Sequence, residues 1–326
     1  MTDRPPLDIV DLFAGPGGWD EGARSLGLRA VGIEIDKDAC ATAVAAGHQR
    51  WHADVLDVDP LSLMLKNWTR RCLVASPPCV GFSKLNKGHG RKHVEEIADA
   101  ARRGDWTWGK GDLAPTLLLP LAMGPWIEKN YPIDVIAFEQ VPSVMPVWEA
   151  YAEWLHKMGY SVSCRKLDAA DYGVPQHRTR AFLMATKGDL TMPPPKTHGK
   201  GLLPYVTVAD ALGWTGAEIL EWVATESSKR VNDQSGTPFD PMWPFDRPAL
   251  TIAGRPLLNH PGANANRFNG KTKSRNDGYW LTDEEMAVLQ GFRRDYPFHG
   301  TRSSVQRQIG NCVPVQLAAA VLGALL

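Results

Sequence analysis

The first half of the chain alternates short aliphatic and β-branched runs with amphipathic stretches that stop at glycine, the pattern of strands joined by crossover helices in a mostly parallel sheet. Residues 7–13 read as the first strand and 19–26 as a helix stopped by Gly27. Residues 30–35 read as the second strand, and 36–46 as a helix with Asp36 as N-cap and Gly47 as stop. This opening is a Rossmann-like mononucleotide-binding half, and the expected class is α/β. A third strand is expected just before Asp54. Others fit 71–75, 135–139, 161–167 and 181–186, for a sheet of six or seven strands. Val147, Tyr151, Trp154, Leu155 and Met158 fall on one helical face ahead of Gly159.

After Thr186 the pattern breaks. Residues 192–204 and 235–248 are rich in Pro and Gly, with only a short helical run near 217–224 between them. Helical periodicity returns at 282–290, where Thr282 and Glu285 have capping-box spacing, and at 315–326. The Leu317, Val321 and Leu325 stripe needs a partner, and the sheet of the first half is the one available. The expected division is a catalytic and cofactor domain of residues 1–186 completed by 280–326, with a small irregular domain over 187–279.

Composition and residue spacing change the picture in four ways. At 326 residues, 44% hydrophobic and 22% charged, the chain has the make-up of a folded globular protein of one large domain with a lobe. Its 36 Lys plus Arg equal its 36 Asp plus Glu, so a polyanion would have to be held by a local basic surface. The sequence shows no membrane span and no signal-peptide pattern, so the expectation is a cytoplasmic protein. The five cysteines, Cys40, Cys72, Cys79, Cys164 and Cys312, have neither CxxC nor Cys/His ligand spacing, so no disulfide frame and no metal site is expected.

Four stretches carry candidate chemistry. Phe13-Ala14-Gly15-Pro16-Gly17-Gly18 falls at the first strand-to-helix turn, where glycines admit a ligand to the backbone and Glu34 can accept from ribose hydroxyls. Asp54 can accept from an adenine amino group. The turn carries no GxxxxGK[ST], so it is no phosphate loop, and a nicotinamide dehydrogenase is the other reading of this turn taken alone. Ser76-Pro77-Pro78-Cys79 places a cysteine at the carboxyl end of a strand, with two prolines stiffening its approach. A lone cysteine is more often a small buried apolar group. Glu139 ends another strand on the same edge, and Arg178 and Arg180 in Gln176-His177-Arg178-Thr179-Arg180 point to one side of an extended chain.

The order DLFAGPGG, GIEID, SPPCVGFS, FEQV, QHRTR and RQIGNCVPV resembles the DNA cytosine-5 methyltransferases, of prokaryotic or phage type, over nearly the whole chain. The resemblance implies a Rossmann-like S-adenosylmethionine-dependent methyltransferase sheet with a small target-recognition domain. It implies S-adenosyl-L-methionine as cofactor, held by Phe13, Ala14, Gly15, Gly17 and Gly18, by Glu34 and Ile35, by Asp54 and Val55, and by Pro78 and Asn311. The implied catalytic set is Cys79, Glu139, Arg178 and Arg180. Cys79 adds to C6 of cytosine, Glu139 bonds N3 and the exocyclic amine, and Arg180 contacts the base carbonyl. Arg178 orders the loop or reaches a phosphate.

The base must leave the stack for this chemistry. Lys84, Lys87, Arg91, Lys92, Arg102, Arg103 and Lys110 mark a candidate mobile loop that closes over DNA, and Arg267, Lys271, Lys273 and Arg275 a second phosphate contact. Gln140 stands where the family has Asn, and Val80 where it often has Gln. Only about 35 residues, 213–247, remain for the variable recognition region, so few base-specific contacts are expected. The expected partners are duplex DNA and a cognate restriction endonuclease, and the expected state is a monomer. An RNA (tRNA) cytosine-5 methyltransferase and a catalytically silent DNA-binding regulator of the same fold are the alternatives.

Overall fold

The computed structural model describes residues 7–63, 70–78, 82, 92–111, 113–129, 133–188, 193–214, 247–252 and 281–326. Seven strands, β1 (Leu7–Leu12), β2 (Arg29–Glu34), β3 (Gln49–His52), β4 (Arg70–Ala75), β5 (Val135–Gln140), β6 (Ser161–Asp168) and β7 (Thr179–Thr186), form one sheet in the order β3-β2-β1-β4-β5-β7-β6. The first five are parallel, and β7 runs antiparallel between β5 and β6. The chain winds outward from β1 to β3, then resumes on the other side of β1 with β4. The crevice at the carboxyl ends of β1 and β4 is therefore the topological switch point, where open α/β sheets hold ligands.

The predicted helices are present with boundaries moved by a residue or so: α1 (Gly18–Ser25), α2 (Lys37–Ala45), and, after α3 (Val94–Arg103), α4 (Pro115–Leu118) and α5 (Gly124–Glu128), α6 (Met145–Lys157). Asp36 caps α2 as its sequence position suggests, accepting from the amides of Asp38 and Ala39. Beyond the sheet come α7 (Val208–Leu212), α8 (Asp283–Leu289), α9 (Arg302–Asn311) and α10 (Val315–Leu325). Thr282 and Glu285 form the expected capping box on α8.

Alternation along the strands sorts the core into two layers. Val10, Leu12, Leu73, Ala75, Ile136 and Phe138 face α3, α5 and α6, together with Tyr151 and Trp148. Ile9, Cys72, Val74, Val135 and Ala137 face α1 and α10, where the Leu317, Val321 and Leu325 stripe is buried. A third cluster joins α7 and residues Ala249 and Ile252 to α8, α9 and Ala46. The stretch Arg302–Leu325 is long and apolar enough to cross a membrane by composition, but most of it is buried inside the protein, as a core helix would be.

One expectation is corrected. Residues 94–103, read as part of a loop closing over DNA, form the helix α3, whose Val94, Ile97, Ala98 and Ala101 are buried against the core. Arg102 is engaged by Glu153 at 2.8 Å and by Asp99. The apolar residues at 94, 97, 98 and 101 have helical spacing, a signal that the run of basic residues obscured. Lys84, Lys87 and Arg91 lie outside the described residues, as do Arg267, Lys271, Lys273, Arg275, the helical run 217–224 and nearly all of 213–247.

Candidate active site

The turn after β1 is built on unusual backbone. Phe13 has φ 61° and Gly15 and Gly17 have φ 56° and 113°, and Phe13 is the one residue other than glycine with positive φ among the described residues. Such strain in an aromatic residue costs of order 1–3 kcal/mol and is held by its surroundings. Ala14 N donates to Ile33 O at 3.1 Å. Gly15 N donates to Glu34 Oε2 and Asp36 N to Glu34 Oε1, both at 2.8 Å, so the Glu34 carboxylate faces the turn. A Cβ on Gly18 would lie 2.4 Å from Val313 O, which fixes glycine where the C-terminal segment crosses α1.

The strand β4 leads into Ser76-Pro77-Pro78, tied down from two directions. Trp19 Nε1 donates to Ser76 Oγ at 3.0 Å, and Gln140 Nε2 donates to Pro77 O while Gln140 Oε1 accepts from Val141 N. Gln140, longer than the Asn expected there, still ties β5 to this loop. Ser143 Oγ donates to Phe82 O at 3.0 Å, and the buried Phe82 ring anchors the chain on the far side of residues 79–81. Cys79 and Val80 themselves lie outside the described residues.

On the neighbouring strands Glu139 is 5% exposed and pairs with Arg180, Oε1 to Nε, at 3.1 Å. Arg178, expected among the catalytic groups, is 1% exposed and is spent on backbone: it donates to Ile252 O at 2.9 Å, Gly310 O at 2.8 Å and Cys312 O at 3.2 Å. Gln176, two residues earlier on the same side, donates to Leu289 O and Gln290 Oε1 and accepts from Ile252 N. Together they staple the segment 249–252 and the C-terminal helices to the sheet.

A single cleft of about 250 Å³ runs through these groups. Phe13, Ala14, Gly15, Gly18, Glu34 and Ile35 line it together with Ser76, Pro77 and Pro78 and with Glu139, Arg178 and Arg180. Asn311 closes it from the C-terminal side, with Arg307 and Gln308 beside it, two residues that sequence reasoning did not single out. Three expected cofactor residues fall outside the lining. Gly17 faces Tyr296 and His48, which a Cβ there would meet at 2.8 and 2.9 Å. Asp54 turns its carboxylate back to the amide of Leu56 at 2.9 Å, and Val55 is buried beside it in the core.

The four described cysteines are poor nucleophiles. Burial pushes the thiols of Cys40 and Cys312 up to about 11, that of Cys164 up to about 12, and that of Cys72 higher still. None carries the thiolate character that nucleophilic attack needs.

The cleft suits an elongated ligand with a hydroxylated sugar. It offers a carboxylate, a glycine backbone where a Cβ on Gly15 would meet nothing within 4 Å, and apolar walls at Ile35 and Pro78. Solved structures share the fold: the S. pombe Dnmt2 methyltransferase superposes with a TM-score of 0.66 at 17% identity, each chain covered over 98%. Curated relatives include the type II methyltransferase M1.HphI of Haemophilus parahaemolyticus, 27% identical over 98% of this chain and 87% of its own length. The type II methyltransferase M.HgiDI of Herpetosiphon aurantiacus is 25% identical over 96% of this chain and 92% of its own. The sequence model of the C-5 cytosine-specific DNA methylase family matches residues 7–102, 142–237 and 250–326, so the chain belongs to that family.

Proposed function

We propose that this protein transfers a methyl group from S-adenosyl-L-methionine to C5 of cytosine in duplex DNA, through a covalent bond from Cys79. The observation that carries the reading is the continuity of the cleft, which joins the turn at Phe13–Gly18 to the Glu139–Arg180 pair past the loop that leads to Cys79. A donor and a flipped base can meet there. Bound S-adenosylmethionine supplies an electrophilic methyl group. Glu34 would hold its ribose, Ile35 would pack on its adenine, and Gly15, Gly18 and Asn311 would bracket the remainder. Asp54, Val55 and Gly17 lie outside the cleft lining and would serve by shaping its walls rather than by touching the donor.

C5 of cytosine is a weak nucleophile, so the Cys79 thiolate adds to C6 and pushes electron density onto C5. Glu139 hydrogen-bonds the N3 edge as charge develops there, and Arg180 orients Glu139 and the base carbonyl. After transfer the C5 proton is lost, the C6–S bond breaks and the thiolate is regenerated. Arg178 takes no part in bond making; it holds the turn at 310–312 against the sheet. The base must be extruded from the duplex at a cost of a few kcal/mol. Residues 187–279 form the target-recognition part, and Lys84, Lys87 and Arg91 with the 267–275 basic run supply phosphate contacts. The working partners are duplex DNA and a cognate restriction endonuclease, the working state is a monomer, and the setting is the cytoplasm.

Bisulfite sequencing of duplex DNA incubated with protein and donor tests this reading. Protected cytosines in a fixed sequence context are expected. Labelling of tRNA with none in DNA would overturn it.

A further inference from the structure

Arg50 sits on the edge strand β3 in register with Gly32, and Gly32 sits in register with Asp11 on β1. The three make one cross-strand row on the face covered by α1. Strands lie about 4.8 Å apart, so Arg50 and Asp11 stand about 10 Å apart at the backbone. Only a long side chain passing over a residue that has none can bridge that distance.

The Arg50 side chain does pass there: a Cβ at Gly32 would lie 1.4 Å from Arg50 Nη1 and 2.6 Å from Ala14 Cβ. The guanidinium therefore occupies the space of a side chain at 32, against Ala14 in the glycine turn. Its Nη2 donates to Asp20 Oδ2 at 3.0 Å, and the two side chains are 0% and 1% exposed. Neither carboxylate oxygen of the buried Asp11, nor Asp20 Oδ1, nor Nε or Nη1 of Arg50, makes a hydrogen bond among the described residues, so Asp11 acts on the guanidinium through its field alone. Burial works against the charge on Arg50, and the attraction of Asp20 and Asp11 outweighs it. A buried ion pair contributes little net stability compared with apolar packing, yet it imposes a defined geometry. Here that geometry fixes β1, β2, β3 and α1 at the point where the turn 13–18 leaves the sheet.

We propose that Arg50 is a positioning residue for the donor site: threaded across Gly32 to Asp20 and Asp11, its buried guanidinium holds the turn 13–18 in the shape that receives the donor. This rests on the reading of that turn as the donor site. Two perturbations reach the same point from different sides. Arg50→Met removes the charge, and Gly32→Ala evicts the guanidinium while leaving Asp20 and Asp11 in place.

The full-length variants are titrated with S-adenosylmethionine by calorimetry, and backbone amide exchange of residues 13–18 is followed without donor. Losing a charged hydrogen bond worth about 1.5 kcal/mol corresponds to about tenfold in an equilibrium constant. Both variants are expected to bind the donor about tenfold more weakly and to exchange faster at 13–18, with duplex DNA affinity unchanged. Arg50→Lys, which keeps the charge without the planar fork, is expected to fall between. A purely structural role would lower the melting temperature and leave donor affinity and the exchange at 13–18 as in the parent. Donor affinity within twofold of the parent in the variants that fold, with unchanged exchange, overturns the proposal; if Arg50→Met does not fold, Gly32→Ala and Arg50→Lys decide. A parent protein that binds no donor sinks the donor-site reading instead, and the exchange measurement then decides whether Arg50 holds the turn.

Discussion

Replacing Arg178 by Met separates a residue that organises the site from one that touches the substrate. The guanidinium makes three buried bonds, to Ile252 O, Gly310 O and Cys312 O. Bonds from a charged donor contribute about 1.5–3 kcal/mol each, so even the low end for three bonds gives a loss of about 4.5 kcal/mol. Against a total stability of about 5–15 kcal/mol, such a loss is readily measured. Urea unfolding of the full chain is the assay, with the midpoint shifted and the slope unchanged. Arg178→Lys is expected to recover less than half, because a point charge cannot serve three carbonyls in a fork. Donor affinity falls with stability, since Asn311 and Val313 hang on the same carbonyls. A variant that loses less than about 1 kcal/mol while activity collapses would refute this reasoning and return Arg178 to the catalytic groups.

Gln140→Ala releases Pro77 O and the Val141 amide, so the loop leading to Cys79 loses its tie to β5. Steady-state kinetics are expected to show kcat lowered about tenfold with donor affinity unchanged, the pattern of a misplaced nucleophile. Iodoacetamide at pH 8 is expected to modify Cys79 ahead of the four other cysteines, whose burial keeps them protonated; peptide mass spectrometry showing Cys312 first would contradict this. Burial, followed by the charge on Asp20, raises the Asp11 carboxyl well above its ordinary range, although Arg50 opposes this. The folded state therefore holds that proton more tightly than the unfolded chain. The stabilisation is complete below about pH 3.9 and is lost as pH rises through the folded pKa, at up to about 1.4 kcal/mol per pH unit. Asp11→Asn is expected to flatten that fall as pH rises above about 3.9 in urea unfolding, and a difference between variant and parent that does not change with pH would count against it.

The strands and their crossover helices were legible because burial on both faces leaves continuous apolar runs, and the caps Asp36 and Thr282 announce themselves chemically. The order of the family's motifs singled out the turn 13–18, the loop that leads to Cys79, Glu139 and Arg180, and residues of each line one cleft. The antiparallel placement of β7 between β5 and β6 was not legible, since strand direction leaves no mark on periodicity. Arg178 and Arg180 look alike in sequence, two residues apart on one side of a strand. What separates them is which partners the rest of the chain brings up: carbonyls from 252, 310 and 312 for the first, a carboxylate for the second. Arg50 was invisible for a related reason, because its meaning depends on the absence of a side chain at Gly32 one strand away. Helix α3 was hidden by charge, its apolar positions being mostly alanine.

The most direct test of the account uses duplex DNA carrying 5-fluorocytosine in the methylated context, incubated with protein and S-adenosylmethionine. Fluorine at C5 cannot depart as the proton does, so the C6–S bond cannot be released. The account predicts a protein–DNA complex that survives denaturation, depends on donor and is absent in Cys79→Ala. Methyl transfer to DNA that persists in Cys79→Ala, or no trapped complex from a protein that methylates the unmodified duplex, would contradict it.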